Sequence, residues 1–210
     1  MSILDWRDQT KPEQAADACL LVHGKPLVRD PAKITHVMLH QTACWYGVAS
    51  YQLKDAKGDE VLARHRRALG VHAHVTAMRH GSAVVAYDPR TYVNHGHNAN
   101  EFSVGLEHEG HYTEAGEPVE MPDRVDVGAI IEAGREALTW LREQLPNLRT
   151  IIAHRQSMRA GGNRTPKTSD PGARIFREVG VEHGVKRLGL SIDPVATWGI
   201  GRPLPASWYS

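Results

Sequence analysis

Two histidines, each at the end of a short apolar run, are the residues of this sequence best suited to chemistry. Residues 37–39 (VML) lead to His40, and residues 151–153 (IIA) lead to His154. If these runs are neighbouring strands, both imidazoles project from the same edge of one sheet. A single strand-end histidine is more often structural than metal-bound. The pair therefore needs a third residue before it predicts a site.

Asp170 is the candidate for that third residue. It follows a long loop that contains glycine and arginine (RQSMRAGGNRTPKTS, 155–169), and the Pro-Gly dipeptide after it fixes a turn. The glycines allow the loop to fold back towards the two imidazoles. Two histidines and one carboxylate leave the fourth position of a tetrahedral zinc open for water, as in catalytic zinc sites. We therefore predict a Zn²⁺ site held by His40, His154 and Asp170.

The composition of the 210-residue chain narrows the classes of function. Lys and Arg number 25 against 24 Asp and Glu, and no basic run suggests a nucleic-acid footprint. The first residues lack the pattern of a signal peptide, and no stretch approaches the ~20 apolar residues of a membrane span. We expect a monomer with no nucleic-acid partner and no membrane span, synthesised in the cytoplasm without a signal peptide.

The apolar patterns predict one α/β domain with a central mixed β-sheet flanked by helices. Strands are predicted at 34–39, 74–78, 83–87, 102–110 and 148–153, with a hairpin turn at RHGS between the second and the third. A stripe of period 3.6 predicts a helix with Asp123 as N-cap and Pro146 as its stop. Further helices are predicted within 48–69 and at about 173–179. The domain spans residues 1–180, and 181–210 form a C-terminal tail packed on it.

Four stretches resemble, in order, the motifs of a known family: ITHVMLHQTA, VHAHVTAMRHG, NEFSVGLEHEG and IIAHRQ followed by KTSDPG. They are similar to those of the zinc-dependent N-acetylmuramoyl-L-alanine amidases of the type-2 class, which share a fold with the peptidoglycan recognition proteins. The resemblance runs over motifs 34–172, roughly two thirds of the chain. It implies that fold, and it matches His40, His154 and Asp170 to the three zinc ligands.

The resemblance also implies roles for other residues. Glu107 stands where family members place a catalytic glutamate, although an exposed carboxylate on an alternating strand is the simpler interpretation without the motif. Some relatives use a tyrosine in the strand that here reads HAH (72–74), where this chain has alanine, so Glu107 must supply the acid and base function. His74 matches a groove residue, and His95 and Asn100 resemble substrate-groove positions.

Lys167 departs from the family pattern. Members with an aspartate ligand usually carry lysine two residues before it, whereas Lys167 lies three residues before Asp170. Residues two apart share a face of a strand, so a regular strand would direct Thr168 towards the metal. A one-residue bulge would restore the lysine. We favour the bulge, because an ammonium stabilises an oxyanion more strongly than a hydroxyl does, and we expect Lys167 to take part in catalysis.

The activity implied by the resemblance is hydrolysis of the amide bond between N-acetylmuramic acid and L-alanine of the stem peptide. Its cofactor is Zn²⁺, and its partners are bacterial peptidoglycan or muropeptides. The protein acts on the cell wall if it is a phage endolysin, which we favour, and in the cytoplasm if it recycles wall fragments. Two alternatives stay open: a non-catalytic peptidoglycan-binding protein of the same fold, and a different zinc hydrolase with the pairs His72/His74 or His95/His97 as ligands.

Overall fold

The computed structural model describes residues 2–47, 57–160 and 167–210; the predicted helix within 48–69 is described only from residue 57 onward. The strands are β1 (Ser2–Asp5), β2 (Leu21–Val22), β3 (Lys25–Pro26), β4 (His36–Gln41), β5 (Val75–Ala77), β6 (Ser82–Val85), β7 (Ser103–His108), β8 (Thr150–Ala153), β9 (Ser157–Met158), β10 (Ser191–Ile192) and β11 (Trp198–Gly199). The α-helices are α1 (Pro12–Ala18), α2 (Glu60–Ala68), α3 (Val127–Gln144) and α4 (Ala173–Ile175), and a π-helical segment, Phe176–Val185, continues α4 directly. Short 3-10 helices lie at Arg7–Gln9, Pro31–Lys33, His97–Ala99, His154–Gln156 and Ala206–Trp208.

Seven strands form one sheet in the order β1-β6-β5-β7-β4-β8-β10. All neighbours in it are parallel except β5 and β6, which form the predicted hairpin. Two small ladders, β2 with β3 and β9 with β11, lie outside it. This architecture confirms the predicted α/β class with a mixed central sheet. Among the described residues, no helix has the length and apolar character needed to cross a membrane.

Helix α3 covers one face of the sheet and forms the main core with it. Its buried stripe includes Ile131, Leu138 and Leu141, and the residues of β4 and β7 in the same core are Val37, Leu39, Val104 and Leu106. The predicted N-cap, Asp123, is wrong by three residues. Asp126 caps the helix instead, because its side chain accepts a hydrogen bond from the backbone N–H of Gly128 at 2.8 Å.

The opposite face of the sheet carries the candidate site. Successive strand residues point to opposite faces, so His40 and Glu107 lie on the side away from α3, while Leu39 and Leu106 pack in the core. Met38 belongs to a second, smaller apolar cluster on that side. The face covered by α3 is therefore mainly apolar, with His108 as a buried ionisable side chain, and the opposite face carries the candidate site.

The C-terminal residues are integrated with the body of the protein. The helical segment that begins at Ala173 runs to Val185, beyond the predicted end at about residue 179, and the predicted division after residue 180 falls inside it. Strand β10 extends the main sheet beside β8. Trp208 is 1% exposed and packs on Phe176, with ring centroids 5.9 Å apart.

Candidate functional site

The register of three parallel strands brings the predicted site residues together. His40 on β4 is the Cα partner of Glu107 on β7. On the other side of β4, Leu39 pairs with Ala153, the last residue of β8, so His154 follows beside His40. The side chains meet where β4, β7 and β8 reach their carboxyl ends. The assumption that the strands ending at His40 and His154 are neighbours is confirmed.

His40, His154 and Asp170 form a buried cluster, and the nitrogen and oxygen atoms that could bind a metal all lie within 4.8 Å of one another. Among the described residues, it is the group of side chains that could hold a metal ion. The Nδ1 atoms of His40 and His154 are 2.9 Å apart, and His154 Nδ1 is 2.9 Å from Asp170 Oδ2. Nitrogen ligands of tetrahedral zinc lie ~3.3 Å apart, because each is ~2.0 Å from the ion. The donor set and its spacing fit a zinc ion.

Backbone and side-chain contacts with β4 fix the carboxylate of Asp170. Its Oδ1 accepts a hydrogen bond from the backbone N–H of Gln41 at 2.9 Å. The Gln41 side chain donates to the carbonyl oxygens of Ser169 at 2.6 Å and Tyr112 at 3.1 Å. Gln41, the residue after His40, therefore anchors Asp170, and the other carboxylate oxygen, Oδ2, faces His154.

Glu107 lies beside the cluster with one oxygen unused. Its Oε1 is 3.9 Å from His40 Nδ1, and its Oε2 is buried without a hydrogen-bond partner among the described residues. Burial, together with the negative charge of Asp170, raises the pKa of Glu107 well above its usual value, and Lys167 opposes this rise. A carboxyl group with a raised pKa next to a metal cluster is suited to accept and return a proton.

Lys167 reaches the cluster from a turn. Residues 167–170 do not form a strand, so the predicted one-residue bulge is wrong, and the alternation of strand side chains does not apply to them. Lys167 Nζ lies 3.6 Å from Asp170 Oδ2 and 3.5 Å from His154 Nδ1, while its side chain remains 50% exposed. The backbone carbonyl of Thr168 accepts a hydrogen bond from the guanidinium of Arg155.

His95 lies behind His40 and not in an open groove. It is buried, its Nδ1 is 3.2 Å from His40 Nε2, and its Nε2 is 3.2 Å from the Ser103 carbonyl. Burial and the nearby charge of Arg29 lower the pKa of His95 to about 3, so the ring is neutral. The predicted contact between His95 and a substrate needs a free ring atom, and both ring nitrogens are engaged inside the protein.

His74 and Asn100 are also buried. The ring of His74 accepts a hydrogen bond from the Gly105 N–H at 2.9 Å and donates to the Thr91 carbonyl at 2.9 Å. Asn100 Oδ1 accepts from the Gly96 N–H at 2.5 Å. These contacts hold backbone segments together, so the structure gives both side chains structural partners where the sequence predicted contacts with substrate.

Among the described residues, neither alternative histidine pair belongs to a group of side chains that could hold a metal. The side chain of His72 is 41% exposed and lies 3.0 Å from the Asp17 carboxylate, whereas His74 is fully buried. His95 is directed to His40. The structure thus favours the cluster of His40, His154 and Asp170 over a zinc hydrolase built on either histidine pair.

Two arginines with important contacts were missed by the sequence interpretation. Arg155 donates from its backbone N–H to the Asp170 carbonyl at 3.1 Å, and its guanidinium lies 4.9 Å from the ring centroid of Trp208. Arg29 is buried and donates to the Ser103 carbonyl at 2.6 Å. Arg29 lies outside the four family motifs, and Arg155 stands within IIAHRQ without a role that the motif assigned to it. Gly105, by contrast, could have indicated the close packing of His95, because glycine inside a strand often marks the close approach of another group.

Comparison with known proteins agrees with this geometry. The chain belongs to the Amidase_2 family, described as N-acetylmuramoyl-L-alanine amidase, whose family profile matches residues 30–173. No curated protein matches the sequence. The family and the peptidoglycan recognition protein-like fold predicted from the motifs are confirmed.

Solved structures of similar fold cover most of the chain. The Ph2119 endolysin, from a bacteriophage of Thermus scotoductus MAT2119, matches with a TM-score of 0.52 at 14% identity, covering 85% of this chain and 99% of that one. Bumblebee PGRP-SA matches with a TM-score of 0.54 at 14% identity, covering 90% and 96%. The complex of peptidoglycan recognition proteins LCa and LCx with tracheal cytotoxin matches with a TM-score of 0.52 at 19% identity, covering 87% and 98%. At these identities the likeness concerns the fold.

Proposed function

We propose that the protein is a zinc-dependent N-acetylmuramoyl-L-alanine amidase, which hydrolyses the bond between N-acetylmuramic acid and L-alanine of the stem peptide. The observation that carries this proposal is the buried cluster of His40, His154 and Asp170, with Glu107 and Lys167 beside it. Family membership supplies the substrate class. A purely binding role would leave unexplained why a buried carboxyl and an ammonium both adjoin a complete ligand set.

The residues of the chain divide the chemistry among them. Zinc, when bound by three protein ligands, polarises a carbonyl group and lowers the pKa of water towards ~7. Glu107 takes the proton of the attacking water and returns it to the departing amine of L-alanine. Lys167 contributes positive charge where the carbonyl oxygen becomes negative. Asp170 and the two histidines hold the ion, and the contacts from Gln41 keep Asp170 in place.

The test is incubation of the zinc-loaded protein with intact sacculi and, separately, with soluble muropeptides, followed by mass spectrometry. We expect release of stem peptides whose free amino terminus is L-alanine, and glycans that keep intact lactyl groups. Glu107→Gln serves as the matched control, because it retains a side chain of the same size. Peptide release at another bond would contradict the assigned reaction.

The same experiment separates the remaining possibilities. Co-sedimentation with sacculi without release of peptide would indicate the non-catalytic binding protein. Release from sacculi supports an endolysin, the role that we favour and the one named for the Ph2119 relative. Release from soluble muropeptides alone supports an enzyme that recycles wall fragments.

A further inference from the structure

The hydrogen-bond partners of His95 determine which of its ring nitrogens carries the proton. Its Nε2 faces the carbonyl oxygen of Ser103 at 3.2 Å and the hydroxyl oxygen of the same residue at 3.4 Å. That hydroxyl donates its single proton to the Ala99 carbonyl at 2.6 Å. Both atoms that face Nε2 are therefore acceptors, and Nε2 must carry the proton of the neutral ring.

The proton position on His95 in turn fixes the tautomer of His40. With Nε2 protonated, His95 Nδ1 presents a lone pair, and it lies 3.2 Å from His40 Nε2. His40 must then donate its Nε2–H, which leaves the lone pair of His40 on Nδ1. This Nδ1 is the atom that lies 2.9 Å from His154 Nδ1 within the cluster.

The residues around His95 hold its ring beside His40. A Cβ added at Gly105 would lie 2.8 Å from His95 Cγ, so only glycine in β7 leaves room for the ring. Arg29 donates to the carbonyls of Ser103 at 2.6 Å and Asn100 at 2.5 Å, and so fixes the acceptor that receives the His95 proton. Residues 103–105 of β7 thus contact the ring directly, and Arg29 fixes the carbonyl that accepts its proton.

We propose that His95 is a positioning residue that locks His40 in the tautomer able to bind a metal through Nδ1. This inference rests on the proposed metal site and assigns His95 a place behind the ligand. Metal-ligating histidines commonly donate to a carboxylate, which makes the ligand more basic. His95 is a neutral acceptor, so it orients His40 without adding negative charge, and it preserves the capacity of the metal to polarise a carbonyl.

The matched variants His95→Asn and His95→Leu test this role. Their side chains have nearly the same size, but the amide oxygen of asparagine accepts the His40 Nε2–H and leucine cannot. The measurement is the zinc Kd, obtained by competition with a chelator. Loss of such an outer hydrogen bond typically weakens metal binding ~10–100-fold. We expect that loss in His95→Leu and a Kd close to wild type in His95→Asn. Equal Kd values in the two variants would overturn the proposal.

A second measurement does not depend on activity or on bound zinc. Nitrogen-15 NMR of the imidazole rings in the metal-free protein reports the tautomer directly. We expect His40 to carry its proton on Nε2 in wild type and in His95→Asn, and to populate both tautomers in His95→Leu. A proton on Nδ1 of wild-type His40 would refute the inference, even if neither variant folds. A wild-type protein that binds no zinc would instead refute the proposed metal site, and the wild-type tautomer would still test the hydrogen bond.

Discussion

His40 and Asp170 reach the same cluster from two different kinds of structure. His40 belongs to β4, which has a paired strand on each side, and His95 holds its ring from behind. Asp170 comes from a turn, and its position depends on contacts made by Gln41 and Arg155. The strand half of the site, His40 with His95, is thus fixed by the ladder and the core. The loop half, Lys167 to Asp170, is fixed by a small number of individual hydrogen bonds.

Removal of a ligand gives the largest expected effect and compares the two halves directly. His40→Ala and His154→Ala should each lose both zinc and activity, because two protein ligands do not retain the ion against competition. Asp170→Asn keeps an oxygen at the third position and should retain part of the zinc. Elemental analysis after dialysis measures the occupancy. Full zinc occupancy in His154→Ala would contradict the ligand assignment.

Glu107→Gln should lower kcat by roughly 10²–10⁴-fold with zinc retained, because the amide cannot accept the proton of the water. Glu109→Gln is the matched control two residues away. The Glu109 carboxylate is buried, with its Oε1 2.5 Å from Arg79 Nη2 and also accepting the N–H of Tyr46. Breaking a buried pair costs ~3–5 kcal/mol of unfolding free energy. The control should therefore lose stability and keep kcat, and the opposite pattern would exchange the roles of the two glutamates.

Lys167→Ala should lower kcat by roughly 10²–10³-fold, the scale of losing one stabilising contact to an oxyanion. Thr168→Ala should have little effect, because the contact made by Thr168 is through its backbone carbonyl. Steady-state kinetics on a muropeptide, with zinc content measured in parallel, compares the two variants. A larger loss in Thr168→Ala would mean that the hydroxyl and not the ammonium serves the reaction.

The loop half should also depend on the C-terminal residues. Trp208 packs its ring 4.9 Å from the Arg155 guanidinium, which holds the Thr168 carbonyl and lies 2.8 Å from Glu114. A buried cation–π contact contributes up to ~2 kcal/mol, so Trp208→Leu should weaken zinc binding or kcat by about tenfold. Trp198→Leu is the control in the same terminal segment, because Trp198 packs on Phe102 and not on Arg155. Equal effects would show only a general loss of stability.

The difference between the two halves also explains what the sequence could predict. The placement of His40 and His154 was predictable, because apolar runs ending in histidine identify strands, and parallel strands bring their ends to one edge. The long loop and the Pro-Gly turn indicated Asp170, and the family motifs supported it and supplied Glu107. The path of the lysine was not predictable, because residues 167–170 obey the geometry of a turn. The Pro-Gly dipeptide indicated a turn after Asp170, but nothing in the sequence showed how residues 167–169 lead into it.

The roles of the buried polar residues were hidden for a related reason. Glu107 and Glu109 lie two residues apart in one motif, and the sequence does not distinguish them. The ion pair with Arg79 makes Glu109 a structural carboxylate. His95 and His74 appear alike in sequence, yet one contacts a predicted ligand and the other contacts backbone groups. Such roles depend on which residue, distant in sequence, donates or accepts the hydrogen bond, and the periodicity of a sequence does not show that.

The smallest expected effect concerns how the free energy of unfolding depends on pH, through a histidine that contacts the strand half. His108 is buried, and its ring donates to the His40 carbonyl at 2.9 Å. Burial lowers the pKa of His108 from 6.5 to about 4. Above pH 6.5 the ring is neutral in both folded and unfolded protein, so stability is unaffected. As the pH falls from 6.5 to 4, the unfolded state binds a proton that the folded state refuses, which costs on the order of 3 kcal/mol in total.

His108→Asn should therefore flatten the acid side of the stability profile, because asparagine can still donate to the His40 carbonyl but does not titrate. Denaturant unfolding of the metal-free protein between pH 4 and pH 7.5 gives the free energy of unfolding at each pH. Metal-free protein is required, since loss of zinc in acid would add a second dependence on pH. His23→Asn, at an exposed position, should leave the slope unchanged. If His108→Asn keeps the wild-type dependence of unfolding free energy on pH, then the buried histidines of the strand half, and not His108, take up the proton when the protein unfolds in acid.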